Sequence, residues 1–299
     1  MVSRNANSVE ATMELYMFSK LRIRLRDVCI PPEPRAPSCV LTPDAEKRIH
    51  NLPAGARVCI KVSAAYNLPY PFAVSREFVA RTSVEIHALR PDLRILLTEG
   101  GVGNVNINEN AASLGLDSIP YTEFIDAEKS EQIYVTNPAL EPFSADGFWL
   151  PSHWVNADMR ILLTTCKLRS HHFQKWFSGG TRNLIGLLPR EHYQLSTSRR
   201  AMRSSAHQNG MDAVVADLYL TTGQGVLTIL DGRVIARQDE HLPLRFTRKL
   251  DSVVVENDPF AADMEMCRLL RLSFVPPYLA RIESRQSAVV SRFDNAIAL

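Results

Sequence analysis

The sequence predicts an α/β protein: a mixed, mostly parallel sheet flanked by helices, in a single large domain with a variable N-terminal extension. Residues 57–62 and 93–97 have the apolar composition of strands, and an amphipathic helix from Ser75 to Leu89 separates them. This strand–helix–strand order favours parallel pairing through a right-handed crossover. With 299 residues, 45% of them hydrophobic, the chain can bury one large core.

The ends of this domain are predicted from helix and proline signals. Residues 1–41 form an N-terminal extension that includes a Pro-rich linker at 30–37, because closely spaced prolines stop a helix from continuing. The α/β domain, residues 42–283, begins with a helix that has Thr42 as its N-cap and Pro43 in its first position. Residues 284–299 form a C-terminal tail.

The later elements follow from changes between apolar and polar segments. In order, we expect a short helix at 110–115, short strands and aromatic loops at 121–156, a buried strand at 161–163, a mobile loop at 190–212, a helix at 212–219, a strand at 226–230 ending in a turn at Asp231-Gly232, a strand at 250–255 and a helix after Asp258-Pro259. Within the aromatic loops, His153 beside Trp154 is interpreted as packed or at the surface.

Composition excludes several functional classes. A net charge of +2 argues against a dedicated nucleic-acid binder, and no apolar run approaches the roughly 20 residues that span a bilayer. The cysteines at 29, 39, 59, 166 and 267 form no C-x-x-C pair, so there is no iron–sulphur cluster motif. An odd cysteine count without a signal peptide predicts reduced thiols in a cytoplasmic protein.

The stretch 159–189 carries most of the candidate chemistry. Between Arg160 and Arg203 there are nine Lys or Arg residues against one acid, Glu191. Such a concentration of positive charge attracts anions, and open α/β sheets build their sites beyond the carboxyl ends of strands. The alternative is a solvated basic loop. Residues 98–106 are glycine-rich after a strand but lack the G-x-G-x-x-G and Walker spacings, so Glu99 could be only an exposed acid in a turn.

Five short motifs occur in the order seen in the family called domain of unknown function 362. They are Ile60-Lys61-Val62, the segment from Asn156 to Lys167 with its following histidine, the run from Thr181 to Gly186, Asp231-Gly232, and the run from Asp258 to Asp263. The resemblance covers roughly residues 56–280. It implies an α/β fold and a family often fused to iron–sulphur ferredoxin modules, from which this chain departs by having no cluster cysteines.

The chain also departs from this family at single positions. Ser63 stands where the family usually has Asn, and Lys167 and His171 are further apart than the corresponding pair. Arg182 replaces a lysine, and because a guanidinium does not lose its proton near neutral pH, a role that needs a neutral amine there is in doubt. The family has no agreed activity, so the resemblance implies a fold and a map of motifs rather than a reaction.

If these motifs converge, two kinds of chemistry are possible. In the first, basic side chains hold an anionic substrate, which bears a carboxylate or phosphate, while Lys167, His171 or His172 moves a proton. Only one of the two histidines can face the pocket, because consecutive side chains diverge. In the second, a histidine with Asp231 and Asp263 holds a divalent metal, although both carboxylates could instead serve a turn and a helix. The predicted substrate-binding residues are Lys61, Arg169, Arg182, Asn183 and Glu99.

Three functional classes therefore remain. The first is a small-molecule enzyme that performs an isomerisation, an elimination or a biosynthetic tailoring step. The second is a non-catalytic binding or accessory protein, and the third is a metal- or redox-dependent oxidoreductase partner. A Ser–His–Asp hydrolase is disfavoured, because the sequence has no G-x-S-x-G motif. The sequence identifies neither the substrate nor the cofactor, and it carries no prediction of the oligomeric state.

Overall fold

The computed structural model describes residues 33–65, 68–101, 106–171, 174–193, 210–239 and 242–285. Within these ranges, residues 169–171, 174–175, 238–239 and 242–247 are described by their backbone alone. None of the helices in these ranges is both long and apolar enough to cross a membrane.

Nine strands are described, and seven of them form one mixed sheet. They are β1 Arg57–Val62, β2 Arg94–Glu99, β3 Thr122–Asp126, β4 Gln132–Thr136, β5 Gly147–Pro151, β6 Met159–His171, β7 Gln174–Ser178, β8 Leu227–Asp239 and β9 Leu242–Glu256. The main sheet has the order β3-β2-β1-β6-β8-β9, with β7 beside the second half of β6. The pairs β3–β2, β2–β1, β1–β6 and β6–β8 are parallel, whereas β9 is antiparallel to β8 and β7 is antiparallel to β6. The predicted mixed, mostly parallel α/β fold is confirmed.

Helices flank the sheet, and their N-termini follow the capping signals of the sequence. The helices are α1 Pro43–His50, α2 Arg76–Leu89, α3 Ile107–Ser113, α4 Ser152–Val155, α5 Gly180–Asn183, α6 Arg190–Tyr193, α7 Met211–Leu218 and α8 Pro259–Leu269, and residues 277–285 are also helical. Thr42 accepts a hydrogen bond from the Ala45 amide, and Asp258 accepts from the Phe260 and Ala261 amides. Both residues satisfy backbone donors that a helix leaves unpaired at its first turn.

The sheet separates two hydrophobic cores. Alternate residues of β1 and β6 belong to different cores, with Ile60 and Ile161 on one face and Cys59 and Leu162 on the other. Helix α2 covers the first face, while α7 and α8 cover the second. Strand β2, the next strand in the sequence, lies on one side of β1, and β6, which comes later, lies on the other side. The boundary between β1 and β6 is therefore the topological switch point, where open α/β sheets bind their ligands.

Three strands, β6, β8 and β9, are longer than the sequence indicated. The strand expected at 161–163 continues to His171, because its backbone from Lys167 onwards pairs with β7 and with the second half of β8. The predicted basic loop therefore begins as a strand. The predicted turn at Asp231-Gly232 is wrong, since both residues lie inside β8, next to a shift in register between Gly232 and Val234.

Part of the predicted N-terminal extension contacts the domain. The Val40 and Leu41 side chains are buried, and their amides donate to the Glu85 carboxylate. Further towards the N-terminus, the Pro34 carbonyl accepts a hydrogen bond from Arg233 at 2.7 Å. Residues 33–41 thus lie against helix α2 and strand β8. The predicted domain boundary at residue 41 stays a prediction, which deletion of the preceding residues tests.

Candidate functional site

A buried ion pair lies where β1 and β2 end. The Lys61 ammonium is 2.6 Å from Glu99 Oε1, and the two side chains are 0% and 1% exposed. The Glu99 carboxylate also accepts hydrogen bonds from the Ala64 and Gly100 amides, each at 2.9 Å. Burying charges is costly unless each is paired and hydrogen-bonded, so these contacts fix the pair in one geometry.

The turn after β7 closes over this pair. Asn183, at the end of α5, accepts a hydrogen bond from the Lys61 ammonium through Oδ1 at 3.0 Å. Gly186 follows in a 3₁₀ turn, Leu184–Leu187, and a Cβ at this position would collide with the Glu99 carboxylate and the Lys61 ammonium. A glycine is required here because the backbone passes directly against both charges.

The Asn183 amide has a defined orientation. An ammonium can only donate, so the atom facing Lys61 must be the amide oxygen. The Nδ2 group is then turned away from Lys61, and it is buried without a hydrogen-bond partner among the described residues. An unpaired buried donor beside a cation is suited to an acidic group on a ligand.

A second cation lies across the switch point. The half-buried Lys167, on β6, donates from Nζ to Ser63 Oγ at 2.9 Å, and Ser63 directly follows β1. Lys61 and Lys167 thus come from neighbouring strands at one edge of the sheet. The carboxylate of Glu99 carries the opposite charge, so Lys61, Lys167 and Glu99 together carry a net positive charge.

His153 joins the same edge from helix α4. Its Nε2 is 2.9 Å from Thr98 Oγ1, and Thr98 is the residue paired with Lys61 in the β1–β2 ladder. Burial lowers the pKa of His153 to about 4, so the imidazole is neutral at neutral pH. The sequence interpretation of His153 missed this placement, since only the pairing of β1 with β2 brings Thr98 beside Lys61.

Asp263 anchors the turn that carries Asn183. Its carboxylate, completely buried on α8, accepts from the Gly180 amide at 2.6 Å, the Thr181 amide at 3.1 Å and the Tyr278 hydroxyl at 3.1 Å. Burial raises the pKa of Asp263 to about 7, and these hydrogen bonds only partly oppose that rise. Arg182 is close enough to lower the pKa of Tyr278, although burial dominates and leaves that pKa well above its usual range.

Asp231 belongs to a separate network. It forms a buried ion pair with Arg233 at 2.6 Å and accepts from the Tyr70 hydroxyl at 3.2 Å. Asp231 and Asp263 are thus held by different protein donors. No group of three or more His, Cys, Asp or Glu within the described ranges is placed to hold a metal. The metal site stays a prediction, because its histidine would be His171, described by its backbone alone, or His172, outside the described residues.

The predicted site residues are only partly brought together. Lys61, Glu99, Asn183 and Lys167 meet at the edge formed by β1, β2 and β6. His172 lies outside the described residues, and Arg169 and His171 are described by their backbone alone. Among the described thiols, Cys59 and Cys166 are buried, and burial raises the pKa of each.

Comparisons with known proteins give a family and similar solved structures. The model of the family described as "Domain of unknown function (DUF362)" matches residues 58–268. No curated protein matches the chain. The lactate racemase apoprotein from Thermoanaerobacterium thermosaccharolyticum is similar at 14% identity with a TM-score of 0.36, over 82% of this chain and 52% of that one. This chain spans about half the length of that protein.

Proposed function

The chain belongs to the DUF362 family, and from this premise and the site geometry we propose that it is an enzyme acting on an anionic small molecule. The observation that carries the proposal is the contact between Lys167 and Ser63 across the β1–β6 switch point, next to the buried Lys61–Glu99 pair. Crevices at switch points are the usual ligand sites of open α/β sheets. A fixed net positive charge there suits a carboxylate or a phosphate.

Each group at this edge has a distinct role in the proposed site. Lys61 is tied to Glu99 and Asn183, so it acts mainly as a fixed positive charge behind the ligand. Lys167 reaches the edge from β6 and contacts the acidic group directly. The buried Nδ2 of Asn183 donates a hydrogen bond to the same acidic group.

The proposed reaction is proton transfer at a carbon next to the acidic group. A positive site stabilises the negative charge that develops when such a carbon loses its proton. Return of the proton gives an isomerisation, and departure of a leaving group gives an elimination. The predicted proton carriers are Lys167 and one of His171 and His172.

A second candidate function is ligand binding without turnover. His153 is the described histidine at this edge, and its pKa of about 4 makes it a weak base at neutral pH. If His171 and His172 do not reach the ligand, the described residues of this edge retain the anion-binding groups, and Lys167 is the one predicted proton carrier left. This candidate predicts binding of an acid with no change in its structure.

Native mass spectrometry of the gently purified full chain, with thermal shift in phosphate and in simple mono- and dicarboxylates, tests the proposal. We expect a retained or added acid to raise Tm, and Lys167→Gln to remove most of that rise. Lys249→Gln is the matched control, because Lys249 is 69% exposed and pairs only at the surface with Asp251. An equal rise in both variants would refute the anion site. Nuclear magnetic resonance of the bound acid in deuterated water separates the two candidates, since an enzyme exchanges its carbon-bound proton.

A further inference from the structure

The tautomer of His153 follows from its neighbour. The hydroxyl of Thr98 has one hydrogen, and it donates this hydrogen to the Ile125 carbonyl at 2.9 Å. The Thr98 oxygen can therefore only accept from His153, so Nε2 of the imidazole carries the proton. The other nitrogen, Nδ1, then carries a lone pair.

This lone pair is buried and unpaired. Nδ1 of His153 has no hydrogen-bond partner among the described residues. Burial also keeps the ring neutral, so Nδ1 remains an acceptor at neutral pH. Buried acceptors in proteins nearly always have a donor, which makes this atom a place where a missing group would bond.

The ring lies on the same face of the sheet as Lys61. Thr98 and Lys61 are partners in the parallel ladder, and paired residues on neighbouring strands project to one side, about 4.8 Å apart. His153 contacts Thr98 on that side. The adjacent Trp154 is completely buried and donates to Thr222 at 2.9 Å, which fixes the short helix α4 in place.

The edge formed by β1, β2 and β6 thus has a buried donor and a buried acceptor that both lack a hydrogen-bond partner among the described residues. Nδ2 of Asn183 needs an acceptor, and Nδ1 of His153 needs a donor. Both atoms belong to side chains that contact the Lys61–Glu99 pair or the strand residue beside it. A molecule with both an acidic group and a separate hydroxyl or amino group would satisfy the two atoms together.

We infer that His153 Nδ1 accepts a hydrogen bond from a hydroxyl or amino group of the anionic ligand, so that His153 selects acids carrying such a group. This inference rests on the proposed anion site. His153 is then a specificity-determining residue that contacts the ligand, while Lys167 and Asn183 contact the acidic group. A neutral hydrogen bond from a hydroxyl corresponds to roughly a three- to tenfold preference, and a bond from the charged ammonium of an amino acid is at least as strong.

The test uses the full chain, three four-carbon diacids and two substitutions of one residue. Malate, aspartate and succinate differ only in carrying a hydroxyl, an amino group or a hydrogen at one carbon. His153→Gln keeps a donor near the Nε2 position and loses the acceptor at Nδ1. His153→Asn places an amide oxygen near the Nδ1 position. His50→Gln is the control at an exposed histidine.

We expect wild type and His50→Gln to bind malate or aspartate about three- to tenfold more tightly than succinate. His153→Gln should bind all three about equally, and His153→Asn should recover part of the preference. A preference that survives in His153→Gln overturns the inference while leaving the anion site intact. If none of the diacids, nor phosphate, binds to wild type, the anion site is refuted and the role of His153 with it.

A second measurement uses wild-type protein alone, so it holds even if a variant fails to fold. In wild-type protein labelled with ¹⁵N-histidine, the His153 ring should show a protonated Nε2 and a bare Nδ1 throughout the neutral pH range. Addition of a bound hydroxy or amino acid should shift the Nδ1 resonance, while succinate should leave it unchanged. A protonated Nδ1 in the free protein would overturn the inference directly.

Discussion

Removing one charge of the Lys61–Glu99 pair should destabilise the fold strongly. Lys61→Met leaves the Glu99 carboxylate buried with the Ala64 and Gly100 amides but without its cation. Glu99→Gln leaves a buried ammonium that still donates to Asn183 and to the Val62 carbonyl. In each case a charge stays in the core without its opposite charge.

The expected size follows from the burial of the pair. The side chains are 0% and 1% exposed and their charged atoms are 2.6 Å apart, so neither charge can regain water without local opening. Breaking a buried pair of this kind costs about 3–5 kcal/mol. Replacing both residues removes both charges, so the double variant should cost less than the sum of the single variants by about 2 kcal/mol or more.

Urea denaturation followed by circular dichroism measures these free energies of unfolding. Lys249→Met and Asp251→Asn form the control cycle, because that pair, at 3.1 Å, has side chains 69% and 60% exposed. An exposed pair contributes at most about 1 kcal/mol. If the Lys61 and Glu99 variants lose no more stability than these controls, the reasoning about the buried pair is refuted.

Four further outcomes are expected. Gly186→Ala should lower the free energy of unfolding by about 1–3 kcal/mol and abolish acid binding, because its Cβ would collide with the buried pair; unchanged denaturation and thermal-shift curves would contradict this. The pKa of Asp263 is about 7 in the folded state, against an ordinary value of 3.8. Between these two pH values the folded state holds a proton that the unfolded state has lost, so the free energy of unfolding should fall as pH rises from about 4 to about 7. In Asp263→Asn this part of the pH dependence should be absent from denaturation curves. Deletion of residues 1–38 should keep a cooperative thermal transition but lower stability by about 1–3 kcal/mol relative to deletion of 1–32, because Arg233 loses the Pro34 carbonyl; an insoluble or molten product would show that the core needs this segment. Arg182→Ala should weaken acid binding in the thermal-shift assay with little change in stability, and unchanged affinity would assign Arg182 to the surroundings of Tyr278.

Local sequence signals predicted many of the elements. The cap at Thr42 and the proline at position 43 act within one turn of a helix, so their effects can be recognised without the rest of the chain. The long β6 and β8 strands were missed for the opposite reason. The polar residues from Lys167 to His171 form a strand because β7 and β8 supply backbone partners, and such partners are distant in sequence or depend on register.

The sequence by itself determined the α/β class, indicated the family, and predicted four residues of the candidate site: Lys61, Glu99, Lys167 and Asn183. The class follows because apolar periodicity fixes strands and helices, whereas the family and its motif residues follow from the resemblance of short motifs. Only the tertiary structure decided what these residues do there. It paired Lys61 with Glu99, committed Asp263 to the Gly180 turn and Asp231 to Arg233, and placed His153 beside Thr98. Ion pairing, burial and tautomer depend on distances of a few ångströms between residues far apart in the chain, and composition and spacing do not encode those distances.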